Sequence, residues 1–291
     1  MSAPTEAVRG RLYVVATPIG NLGDVTLRAL EVLAAVPLIA AEDTRHSRRL
    51  LDRHGLTTRM VSFHAGSGPA RREQLLDHLR AGSDLAMITD AGTPGVSDPG
   101  DDLVRAWAAE DGVVVPIPGA SAVLAAVAAS GIAGPRWAFE GFLPRSGRDR
   151  RERLARIGAD DRATVLFEAP GRVAATLADL AAACADGRPG AACRELTKIH
   201  ETVERGSLGE LAARARDGAI PPRGEFVLIV GLAARSLNAA SDAGQETDER
   251  LRIARAEVDR LIATGAGRAE AARTVAAATG LPRRALYSPA T

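Results

Sequence analysis

The chain has 291 residues, of which 46% are hydrophobic, so it is long enough for two domains that each bury a sizeable core. Its formal net charge of +1 excludes binding of nucleic acid through overall charge and leaves only local basic patches for such a contact. Its two cysteines, Cys184 and Cys193, match neither a metal-site spacing nor a secreted disulfide framework, which favours a reducing, cytoplasmic location.

The sequence predicts no membrane segment. Residues 1–10 lack the apolar core of a signal peptide. Residues 112–135 carry no charge and have the length of a membrane span, but Pro116, Pro118 and Gly119 interrupt them. We therefore predict a buried strand, a turn and a packed helix there.

The first half of the chain alternates apolar strands with helices. The predicted strands are 12–16, 38–41, 60–63, 84–88 and 113–117, and the predicted helices are 27–35, 44–53, 71–80 and 101–110. This order is typical of a largely parallel sheet with helices on its faces.

The second half begins with an aromatic cluster at 137–143 and a segment, 144–156, with six arginines. We interpret both as a connection into a second α/β domain. Its predicted strands are 163–167, 191–194 and 226–230, and its predicted helices are 172–183 and 208–216. A polar linker at 236–247 leads to a tail that resembles a helix-turn-helix. The predicted organisation is thus an α/β domain at 11–120, a second α/β domain at 121–235 and a small helical domain at 248–291.

Three uncharged loops rich in glycine and proline, at 17–24, 89–100 and 118–122, each follow an apolar strand. Loops at the carboxyl ends of strands gather at one edge of an open α/β sheet, where ligands bind. A single loop of this kind is most simply a tight turn. Three of them predict a small-molecule site built mainly from backbone, although neither a Rossmann nor a Walker spacing is present.

Lysine and arginine together number 37, and Lys198 is the only lysine. A lysine retained in so arginine-rich a chain indicates a place that requires a compact, titratable ammonium group. The alternative is chance survival on a solvated surface.

Seven segments, in this order, resemble the bacterial 16S rRNA (cytidine-2′-O)-methyltransferases of the tetrapyrrole-methylase-like group. They are LYVVATPIGNLGD (12–24), AEDTR (41–45), TDAGTPGVSDPG (89–100), PGAS (118–121), FEGFL (139–143), FEAP (167–170) and RELTKIHE (194–201). The resemblance runs from about residue 11 to 231 and more loosely through the tail.

The resemblance implies two α/β domains with S-adenosylmethionine in the cleft between them, a small helical tail and a homodimer. It also implies methyl transfer to the ribose 2′-hydroxyl of a decoding-centre cytidine in 16S rRNA of the small ribosomal subunit. The implied cofactor contacts are Ile19, Asp90, Ala91, Gly92, Thr93, Pro94, Gly95, Val96, Ser121, Ala122, Phe167, Glu168, Ala169 and Leu196.

Methyl transfer to a hydroxyl needs a base, or a cation that stabilises the developing alkoxide. Lys198 is the first candidate, either neutral through desolvation or charged. Glu168 and Glu195 are candidates to orient Lys198 or accept the proton, or else they pair with neighbouring arginines, and His200 is the second candidate base. No metal-ligand spacing is present, so we expect no catalytic metal.

Candidate RNA contacts mix polar and charged side chains near the strand ends. They are Asn21, Asp24, Glu42, Asp43, Arg45, Arg48, Arg172 and Arg194. Segment 42–49 combines an acidic pair with three arginines at a strand end, and it is a candidate to hold the target ribose and its phosphates. The alternative for 42–49 is that Asp43 or Thr44 caps a helix and the arginines are solvated. The aromatic residues at 137–142 either stack on bases or pack in the core.

Two other functions remain open from the sequence. A tetrapyrrole C-methyltransferase would account for the cofactor loops but not for the AEDTR segment or the basic stretches. A binding module with a vestigial site would have no affinity for the cofactor.

Overall fold

The structure is a computed structural model that describes residues 9–98, 100–233 and 250–287. The chain divides into two compact units, 1–232 and 233–291. The predicted linker at 236–247 lies outside the described residues. Among the helices in the described ranges, none combines the length and hydropathy that a membrane crossing requires.

The first sheet is entirely parallel, with strand order β3-β2-β4-β1-β5. Its strands are β1 (Leu12–Val15), β2 (Leu38–Ala41), β3 (Met60–Ser62), β4 (Leu85–Ile88) and β5 (Val114–Ile117). Helices connect them: α1 (Leu27–Ala35), α2 (Thr44–Arg53), α3 (Pro69–Arg80) and α4 (Asp101–Ala109). Parallel strands need such crossovers, so both faces of the sheet are covered and β2 and β4 are buried along their whole length.

Two apolar clusters pack on opposite faces of this sheet. One centres on Trp107 and Leu79, which are fully buried, and the other on Leu33 and Leu51. The sheet is thereby held rigid, and its carboxyl edge, where the glycine-rich loops lie, becomes a fixed platform.

The second sheet is mixed, with strand order β6-β7-β10-β8-β9. Its strands are β6 (Trp137–Phe142), β7 (Ala163–Glu168), β8 (Pro189–Arg194), β9 (Thr202–Ser207) and β10 (Phe226–Val230). The helices of this half are α5 (Ala122–Ser130), α6 (Gly147–Ala159), α7 (Val173–Cys184) and α8 (Leu208–Arg216). Only β6 and β7 run parallel, and β10 is antiparallel to both of its neighbours.

Helices α6, α7 and α8 cover one face of the second sheet with the cluster around Leu177, Leu180 and Leu228. The other face packs against α5 and against Ile19 from the loop after β1. The loops of the first sheet therefore lie against the second sheet, which encloses a space between them.

The α/β fold class is confirmed, and the uncharged stretch at 112–135 forms the predicted strand, turn and helix. The strand was expected to be buried, which is wrong: β5 lies at the edge of the sheet, and only its Ile117 is buried. The interpretation of 137–156 as a connection is wrong, because these residues form β6 and α6. Strand β9 was not predicted either. The predicted domain boundary at 120 falls between β5 and α5 and stays a prediction.

The second unit is described by itself. It contains a helix over 250–263, here α9, and a second helix α10 (Arg268–Thr279), followed by a short 3-10 turn. Ala254, Val258, Ala272 and Val275 form its small core. Apolar residues at helical spacing thus pack the two helices together, as the sequence pattern predicts.

Candidate active site

A cavity of about 400 Å³ lies between the loops of the first sheet and the edge of the second sheet, and we call it the first cavity. Its volume is within the range of small-molecule sites, roughly 300–1,000 Å³. The lining residues from the first half are Ile19, Ala91, Gly92, Thr93, Val96, Ser97, Asp98, Ser121 and Ala122. Those from the second half are Phe142, Phe167, Glu168, Ala169, Pro170, Cys193, Leu196, Gly224, Glu225, Phe226 and Val227.

A pair of backbone hydrogen bonds joins the loops that follow β1 and β4. The amide of Thr17 donates to the carbonyl of Gly92 at 2.9 Å, and the amide of Gly92 donates to the carbonyl of Thr17 at 3.0 Å. The Thr17 hydroxyl donates to the carbonyl of Thr89 at 3.0 Å. Gly92 adopts a φ of +80°, which a residue with a side chain rarely does. The cavity wall is thus main chain held in a fixed shape.

The second sheet contributes the ends of three neighbouring strands. Because β10 is antiparallel to β7 and β8, its first residue Phe226 lies opposite Glu168 and Arg194, the last residues of those strands. Residues 224–227 therefore reach the cavity, although no local sequence pattern indicates a site there. The pairing of β10 is a long-range feature that a local pattern does not carry.

Most of the residues implied as cofactor contacts line the first cavity. The exceptions are Asp90, which lines a neighbouring cavity instead, and Pro94 and Gly95, which line neither of the two. Pro94 and Gly95 form a turn between Thr93 and Val96, in which the Val96 amide donates to the Thr93 carbonyl at 3.2 Å. The turn directs these two residues away from the first cavity, which Thr93 and Val96 line.

Asp98 gives the first cavity a titratable carboxyl group. Burial, followed by the nearby carboxylate of Glu42, raises the pKa of Asp98 to about 6, and Asp90 adds to the effect. The carboxylates of Glu42 and Asp90 are held by backbone, since each accepts a hydrogen bond from an amide of the neighbouring loop. This side of the cavity is therefore negative at neutral pH and favours a cationic ligand.

Glu168 is a candidate catalytic residue, but its carboxylate is engaged by the fold. Its side chain is fully buried and accepts hydrogen bonds from the Thr176 hydroxyl at 2.6 Å and from the Ala169 amide at 2.8 Å. Arg172 pairs with it at 3.2 Å, and Arg150 donates to the Thr176 hydroxyl at 3.0 Å. These contacts anchor the end of β7, so the structure favours a positioning role for Glu168.

Lys198 lies in the loop between β8 and β9, and its ammonium group is held by two carboxylates. Lys198 Nζ donates to Glu195 Oε1 at 2.9 Å and to Glu225 Oε2 at 3.0 Å. Burial opposes the charged form, but these bonds outweigh it and raise the pKa of Lys198 above its usual value. Of the two alternatives, the structure favours a charged ammonium group over a neutral base.

The backbone around Lys198 is strained and closely packed. Glu195 and Thr197 adopt φ values of +53° and +67°, a conformation that costs side-chain-bearing residues of order 1–3 kcal/mol and that clusters at functional sites. A Cβ atom on Gly20 would lie 2.5 Å from Cγ of Lys198. Gly20 is therefore needed so that the loop after β1 can lie directly against the lysine stem.

His200 and the arginines of this half are placed differently from the expectation. His200 is exposed and lines neither cavity, and its carbonyl accepts a hydrogen bond from Arg194 at 3.0 Å. Arg194 is only 8% exposed. Arg172 donates to the carbonyl of Leu143 at 2.8 Å in addition to pairing with Glu168. Both arginines stabilise the fold, so their predicted contact with RNA is not supported.

A second cavity of about 300 Å³ adjoins the first, and the two share Ile19, Ala91 and Glu225 in their walls. Its remaining lining residues are Thr17, Pro18, Gly20, Leu22, His46, Ser47, Arg49, Leu50, Thr89, Asp90 and Lys198. Lys198 and its partner Glu225 thus lie where the two cavities meet. Polar chemistry in the second cavity would take place next to whatever the first cavity holds.

None of the individually named candidate RNA residues lines the second cavity, whereas His46 and Arg49 of the candidate segment 42–49 do. Asp43 caps α2, as the alternative interpretation proposed, and pairs with Arg45 at 2.8 Å. Hydrogen bonding to Arg45 holds the pKa of Asp43 well below its usual range. Arg48 is exposed. The remaining candidates, Asn21, Asp24 and Glu42, lie after β1 and β2.

In the described part of the chain, no group of three or more potential metal ligands is present.

Comparison with known proteins gives consistent findings. Residues 11–212 match the family described as Tetrapyrrole (Corrin/Porphyrin) Methylases. The chain is 44% identical over 278 residues to a Synechocystis protein named ribosomal RNA small subunit methyltransferase I, and the match covers 96% of each. A protein of that name from Escherichia coli is 43% identical over 222 residues, which cover 76% of this chain and 78% of the relative.

Two solved structures share the fold. Cobalt precorrin-4 methyltransferase has a TM-score of 0.57 at 17% identity, with 76% of this chain and 94% of that one covered. Uroporphyrin-III C-methyltransferase from Thermus thermophilus, in complex with S-adenosyl homocysteine, has a TM-score of 0.54 at 21% identity, with 78% and 100% covered. At these identities the likeness is one of fold alone.

Proposed function

We propose that the chain methylates 16S rRNA with S-adenosylmethionine as donor, because it belongs to the tetrapyrrole methylase family and, within that family, to the group of relatives named ribosomal RNA small subunit methyltransferase I. The finer part of the proposal is that the acceptor is the ribose 2′-hydroxyl of a decoding-centre cytidine. A homodimer working in the cytoplasm is part of the same proposal, and it follows from the sequence resemblance.

The first cavity fits the donor by its shape and charge. The fixed main chain around Gly92 lets a ligand approach the backbone closely, and Phe167 and Leu196 supply apolar walls for an adenosine group. Asp98 supplies a carboxylate that suits a sulfonium or ammonium cation. The residues around Gly92, Phe167, Leu196 and Asp98 would hold the donor, which would supply an electrophilic methyl group to an acceptor hydroxyl whose proton passes to water.

The residues around Lys198 account for the acceptor side. The ammonium group lies at the junction of the two cavities and is held in place by Glu195 and Glu225. A hydroxyl beside it would meet a fixed positive charge that stabilises the developing alkoxide. Much of the remaining acceleration would come from holding donor and acceptor in line, which the rigid loops favour. The position of this ammonium group is the single observation that carries the proposal.

The alternative, a tetrapyrrole C-methyltransferase, rests on fold likeness at 17–21% identity, whereas the relatives named for ribosomal RNA are 43–44% identical. Calorimetry should show binding of S-adenosylmethionine, which would exclude a binding module without cofactor affinity but not the alternative enzyme. The rRNA itself decides between the two enzymes. Mass mapping of 16S rRNA from a strain that lacks the protein should show loss of one methyl group from a cytidine ribose. An unchanged rRNA mass map would contradict the proposal.

A further inference from the structure

One face of α2 lines the second cavity. His46, Ser47, Arg49 and Leu50 all belong to that lining, and their spacing places them on the same side of a helix. Arg48 is one position away from Arg49 but is absent from the cavity wall. The helix therefore presents two arginines in different directions, and only one of them reaches the space beside Lys198.

Ser47 provides an independent sign that this space takes a polar ligand. It is only 4% exposed, and its hydroxyl has no hydrogen-bond partner anywhere in the described ranges 9–98, 100–233 and 250–287. A buried hydroxyl without a partner costs free energy, and native proteins rarely keep one without a reason. The oxygen is covered in the present rotamer, and a rotation about χ1 toward the second cavity, which Ser47 lines, would bring it within reach of a ligand that satisfies it.

The charges of the second cavity leave Arg49 available. Lys198 is paired with Glu195 and Glu225, and Asp90 accepts a hydrogen bond from the Asp43 amide. Arg49, by contrast, is exposed and has no ion-pair or hydrogen-bond partner among the described residues. A guanidinium group without a partner at the rim of a cavity is suited to bind a phosphate.

We infer that the second cavity is the subsite for the target nucleotide, in which Arg49 binds a phosphate next to the target ribose and the Ser47 hydroxyl hydrogen-bonds the same nucleotide. The subsite assignment rests on the proposed function. It replaces Arg45 and Arg48 as phosphate contacts, since Arg45 is paired with Asp43 and Arg48 lies outside the cavity.

The test compares Arg49→Gln with Arg48→Gln, a matched change one residue away that removes the same charge from the same helix. The substrate is the small ribosomal subunit purified from a strain that lacks the protein. For Arg49→Gln we expect KM for the subunit to rise about tenfold with kcat nearly unchanged, as for a lost charged hydrogen bond. The slope of log affinity against log salt should become shallower by about one. Affinity for S-adenosylmethionine, measured by calorimetry, should equal that of the unaltered protein.

Ser47→Ala provides a second measurement. Because the hydroxyl has no partner in the described chain, the melting temperature should not fall, yet KM for the subunit should rise a fewfold. If Arg49→Gln and Arg48→Gln have the same KM and the same salt slope, the subsite assignment is overturned while the proposed function stands. If the unaltered protein binds S-adenosylmethionine but does not methylate the subunit, the proposed function fails and the subsite assignment fails with it.

Discussion

The two adjoining cavities differ in what lines them. The first is walled largely by main chain and apolar side chains, among them Gly92, Phe167 and Leu196, and Asp98 supplies it with a carboxyl group whose pKa is raised to about 6. The second is lined by charged and polar side chains that include Arg49 and Lys198. The first cavity suits a cationic ligand held against the backbone, whereas the second offers two cationic side chains to an anionic or hydroxyl-bearing ligand.

This difference shows how a fold shared with enzymes of other substrates can serve RNA. The donor side is built from loops at fixed strand ends, which any member of the fold can use. The acceptor side depends on individual side chains of α2 and of the loop between β8 and β9. Changes in the two cavities should therefore have separable effects, which the predictions for the activity and donor affinity of Lys198, Gly92 and Asp98 variants test.

The largest effect is expected from Lys198→Gln, which removes the ammonium group at the junction of the cavities. We expect kcat to fall at least about 100-fold, because the alkoxide loses its fixed positive charge. Affinity for S-adenosylmethionine, measured by calorimetry, should change less than about twofold, since Lys198 does not line the first cavity. Retention of normal turnover would remove Lys198 from the chemistry.

Glu168→Gln should act on stability. The buried carboxylate accepts hydrogen bonds from Thr176 and from the Ala169 amide, so replacing it should lower the free energy of unfolding by about 1–3 kcal/mol in urea titrations. The control is Glu152→Gln, whose side chain is 54% exposed and pairs with Arg148 on the surface of α6. That change should cost no more than about 0.5 kcal/mol. Equal losses for the two variants would show that the network around Glu168 is not structural.

Gly92→Ala should weaken donor binding about tenfold, because an L-residue at a φ of +80° costs roughly 1–2 kcal/mol and would move the loop. The added Cβ would also lie 3.4 Å from the Ile19 side chain. Gly55→Ala is the matched control, since Gly55 has a φ of +66° and open space around its Cβ position. It should lose similar stability and no donor affinity. Equal donor affinities for the two variants would refute a main-chain wall.

Asp98→Asn should have the smallest effect, a fewfold loss of donor affinity at pH 7.5 with less change for S-adenosyl homocysteine, which lacks the sulfonium charge. The folded-state pKa of about 6 lies above the ordinary value of 3.8. Donor affinity of the unaltered protein should therefore rise as the pH increases through 6, and that of the variant should stay flat.

The raised pKa of Asp98 also determines whether the stability of the fold rises or falls with pH. The folded chain holds the Asp98 proton more tightly than the unfolded chain, so this group lowers the stability of the fold as the pH rises from about 4 to about 6. Asp98→Asn should thus be more stable relative to the unaltered protein at pH 7 than at pH 4. Asp102→Asn, which removes a partly exposed carboxylate paired with Arg72, is the control. Identical pH profiles for all three proteins would contradict the assignment of this pKa to Asp98.

Local sequence patterns were sufficient for the parallel sheet and its loops. Strand alternation and glycine-rich turns predict the carboxyl edge of the first sheet, because parallel strands place all such loops together. The approach of residues 224–227 was not predictable, since it depends on the antiparallel pairing of β10 with strands far away in sequence. The local pattern of apolar residues does not determine which strands pair in a mixed sheet.

The errors in the second half also have physical reasons. The many arginines of α6 make its helical pattern hard to recognise, because only Leu154 and Ile157 are buried apolar residues, at a spacing of three. Arg150 is buried as well and forms an ion pair with Asp179. Strand β9 is an edge strand without a fully buried residue, so it shows no apolar alternation. In α2, the helical phase decides which arginine faces the cavity, and a charge count cannot distinguish Arg48 from Arg49.

The central claim is that the first cavity holds a methyl donor next to a ribose in the second. It is tested most directly by incubating the purified protein with unmethylated small ribosomal subunits and S-adenosylmethionine carrying a labelled methyl group. Mass analysis of the digested 16S rRNA should find close to one labelled 2′-O-methylcytidine per subunit. Label on a base, on a different nucleoside, or absent from the RNA while the donor is bound would contradict the account.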